Sequence, residues 1–123
     1  MKFLGHLNDI LSSNDINYEF QEWTETEIIF PYWVGDYTEN EYSSEQGYTG
    51  YTFMLTGTTN KSWLDLEKDK EKIKNMFSDY NYSKEGYALA IYYENSFNIP
   101  CDDMAIKRMQ INIEIKEWNK WVH

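Results

Sequence analysis

The stretch Tyr51–Phe77 constrains the fold more than any other part of the chain, because it combines a strand pattern, a turn and a helix pattern without interruption. In its first six residues, side chains alternate between two faces, as on a pleated strand. One face holds Tyr51, Phe53 and Leu55, and the other holds Thr52, Met54 and Thr56. Gly57 and the polar residues after it predict that the strand ends there.

The remainder of this stretch predicts an amphipathic helix over Trp63–Phe77. Ser62 can cap the helix, and Asp65 follows at capping-box spacing. Charged side chains surround a single apolar stripe, which consists of Trp63, Leu66, Ile73 and Phe77. Such a stripe needs a partner surface, so we expect the helix to pack on one face of a sheet.

The other predicted elements are a short amino-terminal helix at Phe3–Leu11 and strands at Ile16–Phe20, Glu27–Trp33, Tyr87–Tyr93 and Met109–Lys116. Pro31 indicates that its strand lies at an edge or carries a bulge, because proline has no N–H for a ladder. The stretches between these elements are predicted to be a long polar hairpin arm or loop at Gly35–Gly50 and loops at Ser78–Gly86 and Asn95–Asp103.

The resulting order is helix, three strands, helix, two strands. This order predicts an α+β fold, in which an antiparallel or mixed sheet of about five strands carries the main helix on one face. A chain of 123 residues is long enough for one compact domain, so residues 1–123 are predicted to form a single domain. Cys101 is the only cysteine, which excludes an internal disulfide and gives no sign of an oxidising compartment. The amino-terminal residues have neither a signal-peptide pattern nor the length of a membrane span, so an intracellular, soluble protein is expected.

The net charge of −10 is distributed unevenly along the chain. Residues 1–60 hold ten acidic side chains and one basic one, which gives −9, whereas residues 61–123 hold eleven acidic and ten basic ones, which gives −1. A negative surface repels nucleic acid and anionic membranes, so specific binding to either is not expected. Three interpretations remain open: simple solubility, a surface for a basic partner, or a channel lining past which a polyanion slides.

Candidate catalytic groups are few and isolated in the sequence. The two histidines are His6, in the first helix, and His123, at the last position, and neither has a recognisable partner. Cys101 precedes two aspartates but no base is identifiable for it. The carboxylates of the polar arm, Asp36, Glu39, Glu41 and Glu45, do not follow the calcium-loop pattern. We therefore predict no catalytic, cofactor-binding or metal-binding residue, and a protein that is not an enzyme.

Aromatic residues are a more informative feature, at 18% of the chain. Several of them cluster on and near the long polar arm, in greater number than one edge strand can bury. Aromatic anchors commonly dominate protein interfaces. The sequence therefore predicts a subunit interface formed by Tyr32, Trp33, Tyr37, Tyr42 and Tyr48.

Segments in three parts of the chain resemble small proteins of the tail-gene region of phages and prophages of Gram-positive bacteria. They are Pro31–Tyr37, Ser62–Lys70 and Lys107–Ile113 with Lys116–Trp118. The order of elements is also similar to that of tail terminator, or tail completion, proteins, which form rings that cap the tail tube and join it to the head. The resemblance implies a virion assembly protein, made in the host bacterial cytoplasm, that binds copies of itself and other tail or connector proteins.

Two functions are thus open from the sequence. One is a tail structural protein that forms a ring at the tail–head junction, with acidic residues available to line the channel. The alternative is a monomeric acidic module, similar to an inhibitor or immunity protein, that binds and blocks a basic partner protein. Size in solution distinguishes them.

Overall fold

The computed structural model describes residues 2–21, 28–43 and 47–119, with the backbone alone at residues 41–43. Two helices and six strands occupy most of these residues. In chain order they are α1 (Phe3–Ser13), β1 (Tyr18–Phe20), β2 (Tyr32–Ser43), β3 (Tyr48–Thr59), α2 (Trp63–Met76), β4 (Tyr80–Lys84), β5 (Tyr87–Ile99) and β6 (Lys107–Asn119). The predicted α+β class is confirmed, with six strands where about five were predicted.

The strands form one mixed sheet in the order β1-β2-β3-β6-β5-β4. Its centre consists of two long antiparallel hairpins, β2–β3 and β5–β6, which join through antiparallel pairing of β3 with β6. The short strands cover the two edges in part: β1 pairs with β2 in parallel, and β4 pairs with β5 in antiparallel fashion.

The position of β2 differs from the strand predicted at Glu27–Trp33. Glu27 lies outside the described residues, and β2 begins at Tyr32, one residue after Pro31. The proline therefore removes no hydrogen bond from the ladder, and β1 lies outside β2 at its beginning. A register shift between Glu39 and Glu41 places a bulge in β2, outside the predicted strand and unrelated to Pro31.

The polar stretch Gly35–Gly50, predicted to be a hairpin arm or loop, supplies most of β2 and the start of β3 in an antiparallel hairpin, with residues 44–46 outside the description. Two predicted loops contain strand residues: β4 lies inside Ser78–Gly86, and β5 continues into Asn95–Asp103 as far as Ile99. Pairing with a neighbouring strand satisfies the backbone in each case, and this outweighs a polar local composition.

The helix α2 begins and packs largely as predicted. The Ser62 hydroxyl oxygen accepts a hydrogen bond from the backbone N–H of Leu64 at 3.0 Å, which caps the helix. Leu66 and Ile73 are fully buried, as is Phe77 just after the helix. Trp63 is an exception, because 38% of it is exposed.

Both helices pack on the same face of the sheet and share one hydrophobic core with it. Helix α1 contributes Phe3, Leu7 and Leu11 to that core. The sheet contributes alternate residues of its four long strands, chiefly Trp33, Tyr51, Phe53, Leu55, Leu89, Ile91, Met109, Ile111, Ile113 and Ile115. The opposite face of the sheet carries no described helix.

A glycine makes room for the largest side chain of this core. Gly57 lies opposite Trp33 in the β2–β3 pair, and a Cβ atom at Gly57 would come within 2.6 Å of the indole ring. The ring thus lies flat across the neighbouring strand. Gly57 was predicted to end β3, but the strand continues to Thr59, because Gly57 pairs with β2 on one side and β6 on the other.

Candidate functional site

Chemically reactive side chains do not converge in the part of the chain that the structure describes. Within residues 2–21, 28–43 and 47–119, no group of three or more His, Cys, Asp or Glu side chains is placed to hold a metal ion. The His6 ring packs against the rings of Tyr82 and Tyr87, with centroids 4.4 and 5.8 Å away. The half-buried Cys101 lies with its Sγ 3.6 Å from the Ile99 carbonyl oxygen. His123 lies outside the described residues.

Trp33, one of the five aromatic residues predicted to form an interface, is a core residue. It is completely buried, and its indole Nε1–H donates a hydrogen bond of 2.8 Å to the Asp69 carboxylate on α2. Burial raises the pKa of Asp69, although the bond from Trp33 acts in the opposite direction. Trp33 thus anchors α2 to β2. Because its side chain is completely buried, it cannot contact a neighbouring subunit.

Tyr37 also points toward the helices. Its ring is half-buried and meets the ring of Phe3 edge to face, with centroids 5.7 Å apart, and it stacks on Phe20 at 6.1 Å. A second edge-to-face contact joins it to Tyr51 at 5.8 Å. Most of the Tyr37 ring thus belongs to the rim of the core.

The other predicted aromatic residues lie elsewhere. Tyr32 pairs with Thr58, and Tyr48 pairs with Trp118. Strand alternation therefore places both tyrosines on the opposite face of the sheet from Tyr37. The side chain of Tyr42 lies outside the description. The structure therefore does not bring the five residues together on one surface.

One face of the sheet is covered by no described helix, and we call it the open face. Alternation and register assign to it the following residues of the four long strands: Tyr32, Val34, Asp36, Thr38, Asn40, Tyr48, Thr52, Met54, Thr56, Thr58, Ala88, Ala90, Tyr92, Asn95, Phe97, Ile99, Arg108, Gln110, Asn112, Glu114, Lys116 and Trp118.

Charge is scarce on the open face. Among the described side chains of its long strands, the acidic residues are Asp36 and Glu114 and the basic ones are Arg108 and Lys116. Glu19 on β1 lies on the same face because it pairs with Val34, and Glu94, at the bulge of β5, borders the face. Burial, and secondarily the charge of Glu94, raises the pKa of Glu114. The described side chains of the open face thus carry only a small part of the net charge of −10.

Aromatic rings and one ammonium group form a cluster at one end of the open face. Lys116 Nζ lies 4.9 Å from the ring centre of Tyr48 and 5.9 Å from that of Tyr92. The indole of Trp118 meets the Tyr48 ring at 5.4 Å between centroids. Cation–π and ring contacts of this kind hold the side chains in a fixed arrangement.

Amides and hydroxyls connect the rest of the open face. Gln110 Nε2 donates to Asn112 Oδ1 at 2.9 Å, and Asn112 Nδ2 donates to Asn95 Oδ1 at 2.9 Å. Asn40 Nδ2 donates to Thr52 Oγ1 at 2.7 Å, which joins β2 to β3 in the same way. The first of these bonds lies within β6 and the other two link adjacent strands, so the polar part of the face is ordered as well.

The open face has the composition of a protein contact surface. Cores of interfaces are depleted of charged residues and enriched in Tyr, Trp, Phe and Met, as here with Tyr92, Phe97 and Met54. Sequence reasoning missed this surface, because it looked for rings near the polar arm. The alternation of Thr, Asn and Gln with apolar residues in β3 and β6 was a usable signal, but it does not reveal which face the helices cover.

A buried carboxylate lies at the other side of the sheet, near the start of α1. Glu117 is only 3% exposed, and its Oε2 accepts a hydrogen bond of 2.6 Å from the Tyr87 hydroxyl and one of 3.3 Å from the Phe3 N–H. Burial, followed by the bond to Glu117, raises the pKa of Tyr87. A surface depression of about 280 Å³ adjoins Tyr87 and His6. Because both partners of Glu117 are internal, this group ties α1 to the sheet.

Neither described helix has the length and hydropathy needed to cross a membrane. Comparison of the sequence with models of known protein families gives no match, and comparison with curated proteins gives none either.

Proposed function

We propose that this chain is a phage virion protein that acts by assembly, as a tail terminator or tail completion subunit in a ring at the tail–head junction. The observation that carries the proposal is the open face, a broad and ordered sheet surface whose described side chains carry little of the net charge of −10. Its occupant in this proposal is a neighbouring tail protein with a similarly charge-poor surface. The acidic surfaces elsewhere on the molecule would be less complementary to the charge-poor surface of such a partner.

Two further features support an assembly function. The segments that resemble tail-region proteins fall in β2, at the start of α2 and in β6, which are the elements that build the core and the open face. The acidic excess belongs to residues 1–60, whose charge of −9 suits a position beside passing DNA, because like charge keeps the polyanion from adhering.

The experiment that tests the proposal is deletion of the gene from the phage or prophage that encodes it, followed by electron microscopy of the particles. The expected result is tails of abnormal length and heads that lack attached tails. Normal tails with full head attachment in the absence of the protein would refute the terminator function.

A pair of substitutions tests the part played by the open face. Phe97 is 48% exposed on that face, whereas Met104 is 92% exposed in the loop between β5 and β6. Complementation of the deletion with the Phe97→Glu variant is expected to give few tailed particles, because a charge enters a charge-poor contact. Met104→Glu places the same charge elsewhere and is expected to restore normal particles. Equal rescue by both would exclude the open face from assembly.

The alternative function, an acidic module that blocks a basic protein, makes the opposite predictions. Particles without the protein would be normal, and the chain would stay monomeric at high concentration. Substitutions that remove acidic residues of the first 60 would then weaken binding to the basic partner, since these residues carry most of the net charge.

A further inference from the structure

The sheet has two strand stretches that no described strand pairs with on their outer sides. Strand β1 covers only Trp33–Gly35 of β2, so no described strand pairs with the outer side of Asp36–Asn40. Strand β4 covers only Tyr87–Ile91 of β5, and the Phe77 carbonyl accepts from the Tyr93 N–H, which leaves Asn95–Ile99. Both stretches are five residues long, and they lie at opposite edges of the sheet. An unpaired edge is a template for another strand.

Backbone directions identify the groups that face outward from β2. The Trp33 N–H donates to the Asn17 carbonyl at 2.7 Å, and the Gly35 carbonyl accepts from the Gln21 N–H at 2.7 Å. The backbone groups of these residues thus point away from β3. Because direction alternates along a strand, Tyr37 and Glu39 point outward as well.

The same reasoning applies to β5. The Tyr93 N–H donates to the Phe77 carbonyl at 2.8 Å, so it points away from β6. The register shift between Tyr93 and Asn95 moves the alternation by one residue, which turns Ser96 and Asn98 outward. Each edge therefore offers two residues, spaced two apart, whose N–H and C=O groups face outward.

We propose that Asp36–Asn40 of one copy adds to Asn95–Ile99 of a second copy as an antiparallel strand. In the register that fills both stretches, Asp36 lies opposite Ile99. The hydrogen-bonded pairs are then Tyr37 with Asn98 and Glu39 with Ser96. The pairing starts beyond β1 in one copy and ends before β4 and Phe77 in the other, so neither short strand obstructs it.

The direction of the strands suits a head-to-tail contact. Strand β2 is antiparallel to β3, β3 to β6, and β6 to β5, so β2 and β5 of one copy run in opposite directions. Two copies with the same orientation consequently place β2 of one antiparallel to β5 of the next. Because the two edges differ, each copy has one free edge after pairing, and repetition of the contact gives a ring when its rotation closes and an open filament when it does not. This inference rests on the proposed ring function for its biological role.

Charge also favours this pairing. Glu39 lies on the helix side of β2, next to Tyr51, where its charge contributes to the raised pKa of that tyrosine. On the helix side of β5, Lys74 Nζ lies 5.5 Å from the ring centre of Tyr93, whose hydroxyl contacts Ser96 Oγ at 2.7 Å. The proposed register places Glu39 opposite Ser96 and hence near Lys74 of the other copy. The contact thus brings one acidic side chain of β2 near one basic side chain of α2 in the other copy.

Disulfide trapping tests the contact directly. In a Cys101→Ser background, Glu39→Cys and Ser96→Cys are made in separate chains. A hydrogen-bonded antiparallel pair has Cα atoms about 5.5 Å apart, which a disulfide can span. The mixture is expected to form an intermolecular disulfide at least about tenfold faster than either variant alone, as a heterologous contact requires. Equal rates in all three samples, or no disulfide at high protein concentration, would overturn the proposal.

A charge exchange gives an independent test by light scattering at about 0.15 M salt. Glu39→Lys and Lys74→Glu are each expected to weaken self-association by about tenfold, and the two changes together in one chain are expected to restore it. Lys72→Glu is the matched control, because it makes the same charge change on the same helix and leaves Lys74 in place. Failure of the double variant to recover would overturn the proposed register.

The two proposals fail in different ways. Trapping between residues 39 and 96 together with normal particles in the deletion strain would leave the edge contact established and refute the tail function. Defective particles without trapping would leave the tail function standing and refute the edge contact.

Discussion

The Tyr87 hydroxyl donates a short hydrogen bond to the buried carboxylate of Glu117, and removal of that one oxygen tests the contribution of this bond to stability. The Tyr87→Phe variant keeps the ring but removes the donor at 2.6 Å, the shortest hydrogen bond described for the buried Glu117, whose bond from the Phe3 N–H measures 3.3 Å. We expect the free energy of unfolding in urea to fall by about 1–3 kcal/mol, the usual cost of a buried group that loses its partner. Tyr82→Phe, in the same cluster of rings, is the control. An equal loss in both variants would mean that the hydrogen bond to Glu117 contributes nothing.

The raised tyrosine pKa values predict a sensitivity to alkali. Burial, then the charges of Glu117 and Glu39, raises the pKa of Tyr51 from 10.0 to about 12, and burial also raises that of Tyr87. Above pH 10 an unfolded chain loses these protons while the folded chain retains them. The stabilisation is complete below pH 10 and lost as pH rises toward 12. Urea unfolding at several pH values should show this slope, and it should be shallower in Tyr87→Phe. Identical slopes would contradict the assignment.

Gly57 is predicted to tolerate no side chain. A Cβ atom there would lie 2.6 Å from the Trp33 indole, which is fixed by its bond to Asp69. Gly57→Ala should lower the unfolding free energy by about 1–3 kcal/mol through overpacking. Gly5→Ala is the control, because no atom lies within 4 Å of a Cβ at Gly5 on α1, where alanine should stabilise by up to about 1 kcal/mol. Thermal unfolding measures both, and a neutral Gly57→Ala would show that the indole can move.

At the scale of elements, α2 is held mainly by its buried stripe. Ile73 is completely buried against the sheet, whereas Lys72 is exposed. Ile73→Ala should therefore lower the unfolding free energy by about 2–5 kcal/mol, through lost burial and the cavity that remains. Lys72→Ala should change it far less. A loss below about 0.5 kcal/mol for Ile73→Ala in denaturant unfolding would contradict the packing of α2 described above.

The elements that the sequence predicted well are those whose local pattern agrees with their packing. Strand β6 alternates between isoleucines and polar residues, and α2 has both a cap and a stripe, so one face of each is marked for burial. β4 and the second half of β5 lack this signal. Tyr80 and Tyr82 alternate on β4, but its strand state depends on the ladder with β5, which is a contact distant in sequence.

Dependence on contacts that are distant in sequence also explains where the structure places the residues predicted to form an interface. Sequence marked Trp33 and Tyr37 as interface rings because they adjoin a polar arm, yet the helices cover the face of β2 to which both belong. Periodicity shows that a strand has two faces, but the choice of the covered one depends on how the chain connects. Phe97 and Trp118, on the face left uncovered, had no local feature that distinguished them from core residues.

At the scale of the whole molecule, each copy carries a net charge of −10, and this charge opposes association of copies through the edges of β2 and β5. Overall repulsion acts across tens of Å at low salt, because the Debye length is about 30 Å at 0.01 M and about 8 Å at 0.15 M. The contact between Glu39 and Lys74 is local and weakens only at higher salt. Self-association should consequently be strongest at intermediate ionic strength.

Light scattering at fixed protein concentration measures this dependence. We expect the average mass to rise as salt increases from about 0.01 M to 0.15 M, because repulsion between copies is screened first, and to fall again toward 1 M as the local pair is screened. Lys72→Glu makes the net charge more negative without altering either edge. It should shift the rise to higher salt and leave the mass at 0.15 M nearly unchanged. A mass that falls steadily from the lowest salt would show that attraction between unlike charges governs assembly, and would contradict the balance proposed between overall repulsion and edge pairing.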